Sequence, residues 1–279
     1  MLELIYNKYF TSLIVIAIIF SIVEINFPFR NIKKNPSKFL TDTFYQIFNF
    51  SIFGAFVELC IIFTYSFLDL NVLSNNTFSV NLFKNIDPIY LFFISLLLVD
   101  FLDYCIHNLL HRVPVLWEFH KIHHSIQHLD WWGNMLFHPM EIFFYKFFLY
   151  APLLLLNPIL PETYFFVLVL FRLSIGTFAH SNLNIDIGPL KYIINNPKVH
   201  CWHHANDDRA INKNLGVTFT FWDFIFRTAL LQKNETYPKK GLGFSDDLEY
   251  QSFFKQFYKP FTRIMQLKVG KHRASTNNN

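Results

Sequence analysis

Apolar runs dominate the first two thirds of the chain, and polar punctuation divides them into five. The first three run from about Tyr9 to Phe27, Phe44 to Leu68 and Pro88 to Ile106. Two more, about Ile142 to Leu156 and Thr163 to Ala179, are separated by Asn157-Pro158 and Pro161. Helical runs of this length match the hydrocarbon thickness of a bilayer. The first lacks the flanks of a cleaved leader, with one lysine ahead of it and no small-residue cleavage site behind. The last pair reads as a helical hairpin whose first arm, short and interrupted at Pro152, is partly re-entrant. From about His180 the pattern breaks into short amphipathic pieces with turns at Gly188-Pro189 and Asn196-Pro197. The end, Lys268 to Asn279, is polar and reads as disordered. The expected fold class is all-α: about three transmembrane spans plus a helical hairpin, with a mainly helical cap against the membrane. Three parts follow: N-terminal spans and loops over 1–90, a central domain over 91–230, and a polar segment over 231–279.

Composition supports a membrane protein. Only 16% of residues are charged and 36 are phenylalanine, against about 25% charged in an ordinary soluble domain. The net charge of +4 matters less than its placement. Basic residues crowd Arg30 to Lys38 and the tail from Lys239 to Arg273. They flank apolar spans rather than forming a basic face with exposed aromatics, so a nucleic-acid partner is not indicated. The positive-inside rule puts the 30–38 loop in the cytoplasm and the Asn- and Ser-rich connector 69–87 on the opposite side. The third span then returns inward, and the hairpin starts and ends on that same inner face. Three isolated cysteines suggest no disulfide framework.

The histidines change the picture most. Eight of twelve fall in three windows: His107 and His111; His120, His123 and His124; His200, His203 and His204. As spacings these are HxxxH, HxxHH and HxxHH. Neutral imidazole is a common metal ligand, and on a helix residues at i, i+3 and i+4 share a face, so each window offers nitrogens to a common point. Isolated histidines at helix ends explain one pair easily and all three windows poorly. Eight imidazoles exceed the four ligands of a tetrahedral zinc and suit two metal ions. The orientation places all three windows on the cytoplasmic face. His180 and His138 are candidate additional ligands, and His128 a weaker one. Cys201 points away from the face shared by its histidine neighbours.

Ligand imidazoles need their second nitrogen held. Candidates for that role are Asp100, Asp103, Glu118, Asp130, Glu141, Asp207, Asp208 and Asp223, with Asp103 one turn ahead of His107. An acid at membrane depth also demands a partner. Imidazole suits zinc, copper, nickel and iron alike. HExxH, HxxEH, GxGxxG and Walker motifs are missing, as is a Ser-His-Asp set on a nucleophile elbow.

At these residues the sequence resembles the fatty acid hydroxylase superfamily, most nearly its bacterial sterol-desaturase-like members. The matching text is Asp103-Tyr-Cys-Ile-His107-Asn-Leu-Leu-His111-Arg, Leu116-Trp-Glu-Phe-His120-Lys-Ile-His123-His124-Ser, Phe137-His138-Pro-Met-Glu141, His180-Ser-Asn182, His200-Cys-Trp-His203-His204, Asn214-Leu-Gly216, Trp222-Asp223 and Thr228. The resemblance implies a membrane-bound oxidoreductase with a non-haem di-iron centre, two Fe ions held by the eight motif histidines, using O2 to hydroxylate or desaturate a lipid C–H bond. It also implies a membrane lipid substrate and a separate electron donor of cytochrome b5 or ferredoxin type. Asp103, Asn182 and Asp223 are expected around the ligands, and a bacterial inner membrane is the expected location. Some relatives carry a further HxxxH before the last window; here the position four after His180 is Asn184, so a ninth and tenth ligand stay open. The reading from another class is a histidine-rich zinc-binding membrane protein, hydrolytic or structural.

Overall fold

A computed structural model describes residues 2–32, 36–67, 85–150, 161–232, 237–243 and 252–276. Among them the protein is mostly helical, with three isolated β-bridges and no strand. Most of the connector 69–87 and the turn of the expected hairpin lie outside the described residues.

Helix α1 (Leu2–Asn26) covers the first apolar run. The second run begins earlier than its hydropathy suggests. Helix α2 (Pro36–Ile47) starts at the proline, passes through a π-helical turn at Phe48–Phe53 and resumes as α3 (Gly54–Phe67). Helix α4 (Pro88–Arg112) has Pro88 in its first turn and is capped by Asp87, whose Oδ1 accepts from Ile89 N at 2.9 Å. It outlasts its apolar run by six residues, because nothing before Val113-Pro114 stops it, and so carries both His107 and His111. Helix α7 (Glu162–His180) matches the fifth run and ends on His180. Helices α4 and α7 are long and apolar enough to cross a membrane.

The fourth run is helical only as α6 (Pro139–Tyr145) and a π-helical turn over Lys146–Tyr150 before the described chain stops. The cap region is less helical than expected. After α7 it holds α8 (Pro197–His203) and the single turn α9 (Phe221–Ile225), joined by 3-10 turns and loops. The tail was expected to be disordered, yet α10 (Phe253–Thr276) runs nearly to its end. Three short helices repeat one start signal, a residue in extended conformation followed by proline: Val113-Pro114 for α5 (Pro114–His120), His138-Pro139 for α6 and Asn196-Pro197 for α8. Proline at the first helical position loses no hydrogen bond and presets the backbone. These short helices carry His120, Glu141, His200 and His203.

Long-range polar contacts lock the helices. Asp103 on α4 forms an ion pair with Arg172 on α7, joining the two apolar helices at depth. Asp100, one turn earlier, accepts from Thr218 N at 2.9 Å, Phe219 N at 3.1 Å and Trp222 Nε1 at 2.9 Å, fastening the 218–222 segment to α4. Glu24, buried on α1, accepts from both Trp131 N (2.7 Å) and Asn182 N (2.8 Å) through one oxygen. Beneath the cap lies an apolar core of Tyr45, Ile122, Ile126, Leu129, Leu136, Cys201 and Leu242. Burial there pushes the Cys201 thiol up to about 12, so it stays a neutral packing residue.

Glu24→Ala strands two backbone N–H groups, each costing about 1–3 kcal/mol when buried without a partner. The variant is expected to lose about 2–4 kcal/mol of stability, read as a lower melting temperature of the purified protein in detergent. An unchanged melting temperature would refute this role.

Candidate metal centre

The short helices and the ends of α4 and α7 bring nine histidines together in two groups. His107, His111, His120, His124 and His203 form one; His123, His180, His200 and His204 form the other. Within each group the ligand atoms lie within 4.8 Å of one another. The groups abut: the His124 and His204 rings stack with centroids 4.3 Å apart, though they belong to different groups.

The windows do not each converge on one point, as their spacing suggested. Residues four apart stay together: 107 with 111, 120 with 124, and 200 with 204. The middle histidine of each HxxHH, His123 or His203, turns to the other group. Adjacent side chains on a helical backbone point about 100° apart while residues at i and i+4 differ by about 40°, so a doubled histidine serves two centres.

Second nitrogens are held mainly by the backbone. His107 Nδ1 donates to Leu215 O (2.8 Å), His123 Nδ1 to Leu136 O (3.2 Å), His180 Nδ1 to Gly176 O (3.0 Å) and His203 Nδ1 to Lys213 O (2.9 Å). A carbonyl only accepts, so each of these Nδ1 atoms carries the proton and each Nε2 presents a bare lone pair. His123 Nε2 and His180 Nε2 then face each other at 3.1 Å with no hydrogen between them. His200 Nε2 lies 2.9 Å from His180 Nε2 and 3.0 Å from His204 Nε2. The His203 Nε2 acceptor is buried and has no hydrogen-bond partner among the described residues.

Protons would relieve this crowding only by creating buried imidazolium. Burial holds His120, His123, His124, His200, His203 and His204 well below the ordinary imidazole range, and each other's charges lower them further. Converging neutral nitrogen lone pairs in a protected pocket are the donor set of a transition-metal site. The residues present fit two cations, one per group.

One carboxylate joins directly. Glu141 Oε1 meets His120 Nδ1 at 2.7 Å, both side chains being buried. This is the carboxylate–histidine arrangement that orients a ligand and raises its basicity. The other acids act elsewhere. Asp103 is spent on Arg172 rather than on His107. Asp223 touches no histidine; it accepts from Leu215 N (2.7 Å), Gly216 N (2.9 Å) and Thr228 Oγ1 (2.6 Å), shaping the loop whose Leu215 carbonyl holds His107. Gly216 is required there, because a Cβ would sit 2.4 Å from Phe219 O. Asn182 bonds both ways with Arg30, its Oδ1 accepting from Arg30 N at 3.1 Å and its Nδ2 donating to Arg30 O at 2.8 Å, and so ties the end of α1 to the exit of α7. Glu118 lies near Lys121 and Arg263, Asp130 caps the 3-10 turn Trp131–Met135, and Asp207 chelates Arg209.

The two extra histidines separate. His180 sits in the second group, whereas His138 lies outside both. Its Nδ1 accepts from Met140 N (3.1 Å), capping α6, and its Nε2 donates to Phe257 O (2.9 Å), pinning α10. His128 is exposed on the protein surface, away from both groups. An aromatic cover lies over the imidazoles: Trp117 packs against His111, His120 and His124, and Phe137 stacks on His123 with centroids 4.7 Å apart. Both residues stand in the motif text, Trp117 one turn before His120 and Phe137 next to His138, but nothing local to the sequence shows that their rings meet these imidazoles.

Residues 92–228 match the profile of the Fatty acid hydroxylase family. An alkylglycerol monooxygenase of Danio rerio is 31% identical over 142 residues, covering 51% of this chain and 31% of its own length. Ornithine lipid hydroxylase OlsE of Rhizobium tropici is 30% identical over 171 residues, 61% of this chain and 50% of its own. Methylsterol monooxygenase 1 of Rattus norvegicus is 32% identical over 148 residues, 52% and 48% respectively. The chain thus spans between 31% and 50% of the length of these relatives. No solved structure gives a significant match. Residues 92–228 thus form a fatty acid hydroxylase domain, with homologues among alkylglycerol monooxygenases, ornithine lipid hydroxylases and methylsterol monooxygenases.

His138→Ala is expected to loosen α10 and lower stability by about 1–2 kcal/mol while leaving bound metal per chain unchanged. Metal analysis and thermal melting of one preparation check this. Loss of metal from a protein that still melts cooperatively would return His138 to the centre.

Proposed function

We propose that this chain is a membrane-bound di-iron lipid oxygenase that uses O2 to hydroxylate or desaturate a lipid C–H bond. The observation that carries the reading is the convergence of nine imidazoles in two adjacent groups, with the bare Nε2 lone pairs of His123 and His180 facing each other, within a domain whose relatives are named as lipid monooxygenases and hydroxylases. The ligands are the eight histidines His107, His111, His120, His123, His124, His200, His203 and His204, joined by His180 as a ninth. An unactivated C–H bond offers no acid, base or leaving group to side-chain chemistry. Bound iron supplies the activation of dioxygen that amino acids cannot.

The chain's own residues do the rest. Leu136, Gly176, Lys213 and Leu215 fix four imidazoles through their carbonyls, and Glu141 fixes a fifth. Trp117 and Phe137 cover the imidazoles and exclude water from a reactive site. Helices α4 and α7 span the bilayer and deliver the lipid to the edge of the centre, which lies on the cytoplasmic face of a bacterial inner membrane beside the basic 30–38 loop. A separate donor of cytochrome b5 or ferredoxin type supplies the electrons.

The zinc-binding alternative has a weaker footing. One group holds five histidines, more than tetrahedral zinc takes, and the relatives' names describe oxidation.

Purified protein is expected to hold about two irons per chain, as two nitrogen-rich groups require. His123→Ala and His203→Ala should each lower that number and abolish oxidation of membrane lipids, read by metal analysis and by lipid mass spectrometry of cells expressing each variant. Full iron and activity in both variants would overturn the assignment. Zinc alone, with no oxygen consumed by iron-reconstituted protein, would favour the alternative.

A further inference from the structure

Outside the metal centre lies an open recess of about 660 Å³, within the usual range of small-molecule sites. Its walls come from the end of α1, the 28–32 loop, the start of α2, the 3-10 turn Trp131–Met135 and Asn182. Glu24 stitches two of these walls together by accepting from Trp131 N and Asn182 N. Those walls also lead to the centre: Leu136, which holds His123, follows the 3-10 turn, and Asn182 is two residues past His180.

The lining carries both signs of charge. Arg30 lies over the Tyr237 ring at 4.2 Å, keeping an exposed guanidinium at the recess. Lys38 pairs with Asp42 at 2.5 Å and lies 3.8 Å from Asp130 Oδ2. Asp130 uses its other oxygen to cap Gly133 N at 2.7 Å. Trp132 stacks on Phe39, and its indole Nε1 is buried with no hydrogen-bond partner among the described residues. The lip is apolar, with Ile25 69% and Phe39 53% exposed. A polar floor under an apolar rim, with paired tryptophans at the edge, suits an amphiphile at the membrane interface. A purely anionic headgroup would meet the carboxylates, and a neutral one would leave Arg30 unused.

We propose that this recess binds the zwitterionic, amine-bearing headgroup of a membrane lipid, its ammonium against Asp130 and its anionic oxygens toward Arg30. The inference rests on the lipid oxygenase reading only in taking that lipid as the substrate. Seating the headgroup there leaves the acyl chain to run along α1 and α7 toward the histidines.

Binding needs no metal, so the test uses the full chain purified in detergent and freed of metal by chelation. Trp131 and Trp132 serve as fluorescence reporters during titration with dihexanoyl phosphatidylethanolamine, dihexanoyl phosphatidylglycerol, dihexanoylglycerol and chain-free glycerophosphoethanolamine. The amine lipid is expected to bind about tenfold more tightly than the other three, the size of one charge-assisted hydrogen bond. Arg30→Gln and Asp130→Asn should each erase that preference, and Arg30→Lys should restore most of it. Asp130→Asn keeps an oxygen for the Gly133 cap, and a melting curve for each variant identifies any that misfold. Equal binding of the neutral or anionic lipid, equal binding of the chain-free headgroup, or a preference untouched in folded variants would each overturn the proposal. Amine-lipid binding by protein whose iron-loaded form oxidises no lipid would sink the oxygenase reading and leave the headgroup site standing.

Discussion

Neutral imidazoles facing one another with bare lone pairs are the constraint on which the rest of this structure depends. Four histidines have their Nδ1 protons committed to carbonyl oxygens, so their Nε2 atoms have nothing to donate. Two such atoms, His123 Nε2 and His180 Nε2, are packed 3.1 Å apart, which is unfavourable in a buried site unless a cation sits between them. Protonation is the poorer remedy, because burial holds the surrounding imidazoles well below their ordinary range. The fold therefore makes sense as one completed by metal, with packing energy from the apolar helices and the apolar core holding the donors in place.

Carboxylates build this centre mostly at one remove. Asp100 and Asp223 bind backbone N–H groups of the 215–219 segment, which presents the Leu215 carbonyl to His107. Glu24 does the same for the segments flanking His123 and His180. Ionised acids placed next to the ligands would add negative charge to the site. Placed one step out they rigidify the loops, and neutral carbonyl dipoles meet the imidazoles instead. Glu141 reaches an imidazole of the first group directly.

Much of this was legible in the sequence. The helical class, the apolar helices α4 and α7, and the three histidine windows all follow from periodicity and spacing, because those signals are local. What failed was non-local. Asp103 looked like the support of His107 from its one-turn spacing, yet its partner Arg172 lies 69 residues away on another helix. His138 looked like a ligand because it stands among motif residues, but the proline after it makes it a helix cap and α10 supplies its second partner. Asn182 was read as support for the centre and instead fastens α1. His180 could be weighed but not decided, since only the packing of α7 against α8 brings it to His200, with ring centroids 4.0 Å apart.

The doubled histidine carries the deepest sequence-to-site relation. In each window HxxH already splits between the groups, His120 from His123 and His200 from His203. The added His124 or His204 returns to the group of the first histidine, so that adjacent residues of one turn serve both groups, twice over. Adjacent residues cannot be displaced independently, so any shift that opens one group moves the other. The two groups are thereby held at a fixed spacing by the covalent backbone rather than by side-chain packing alone. Two metal ions bound at a set separation would need that fixity, and in this chain it is written as two consecutive letters, repeated.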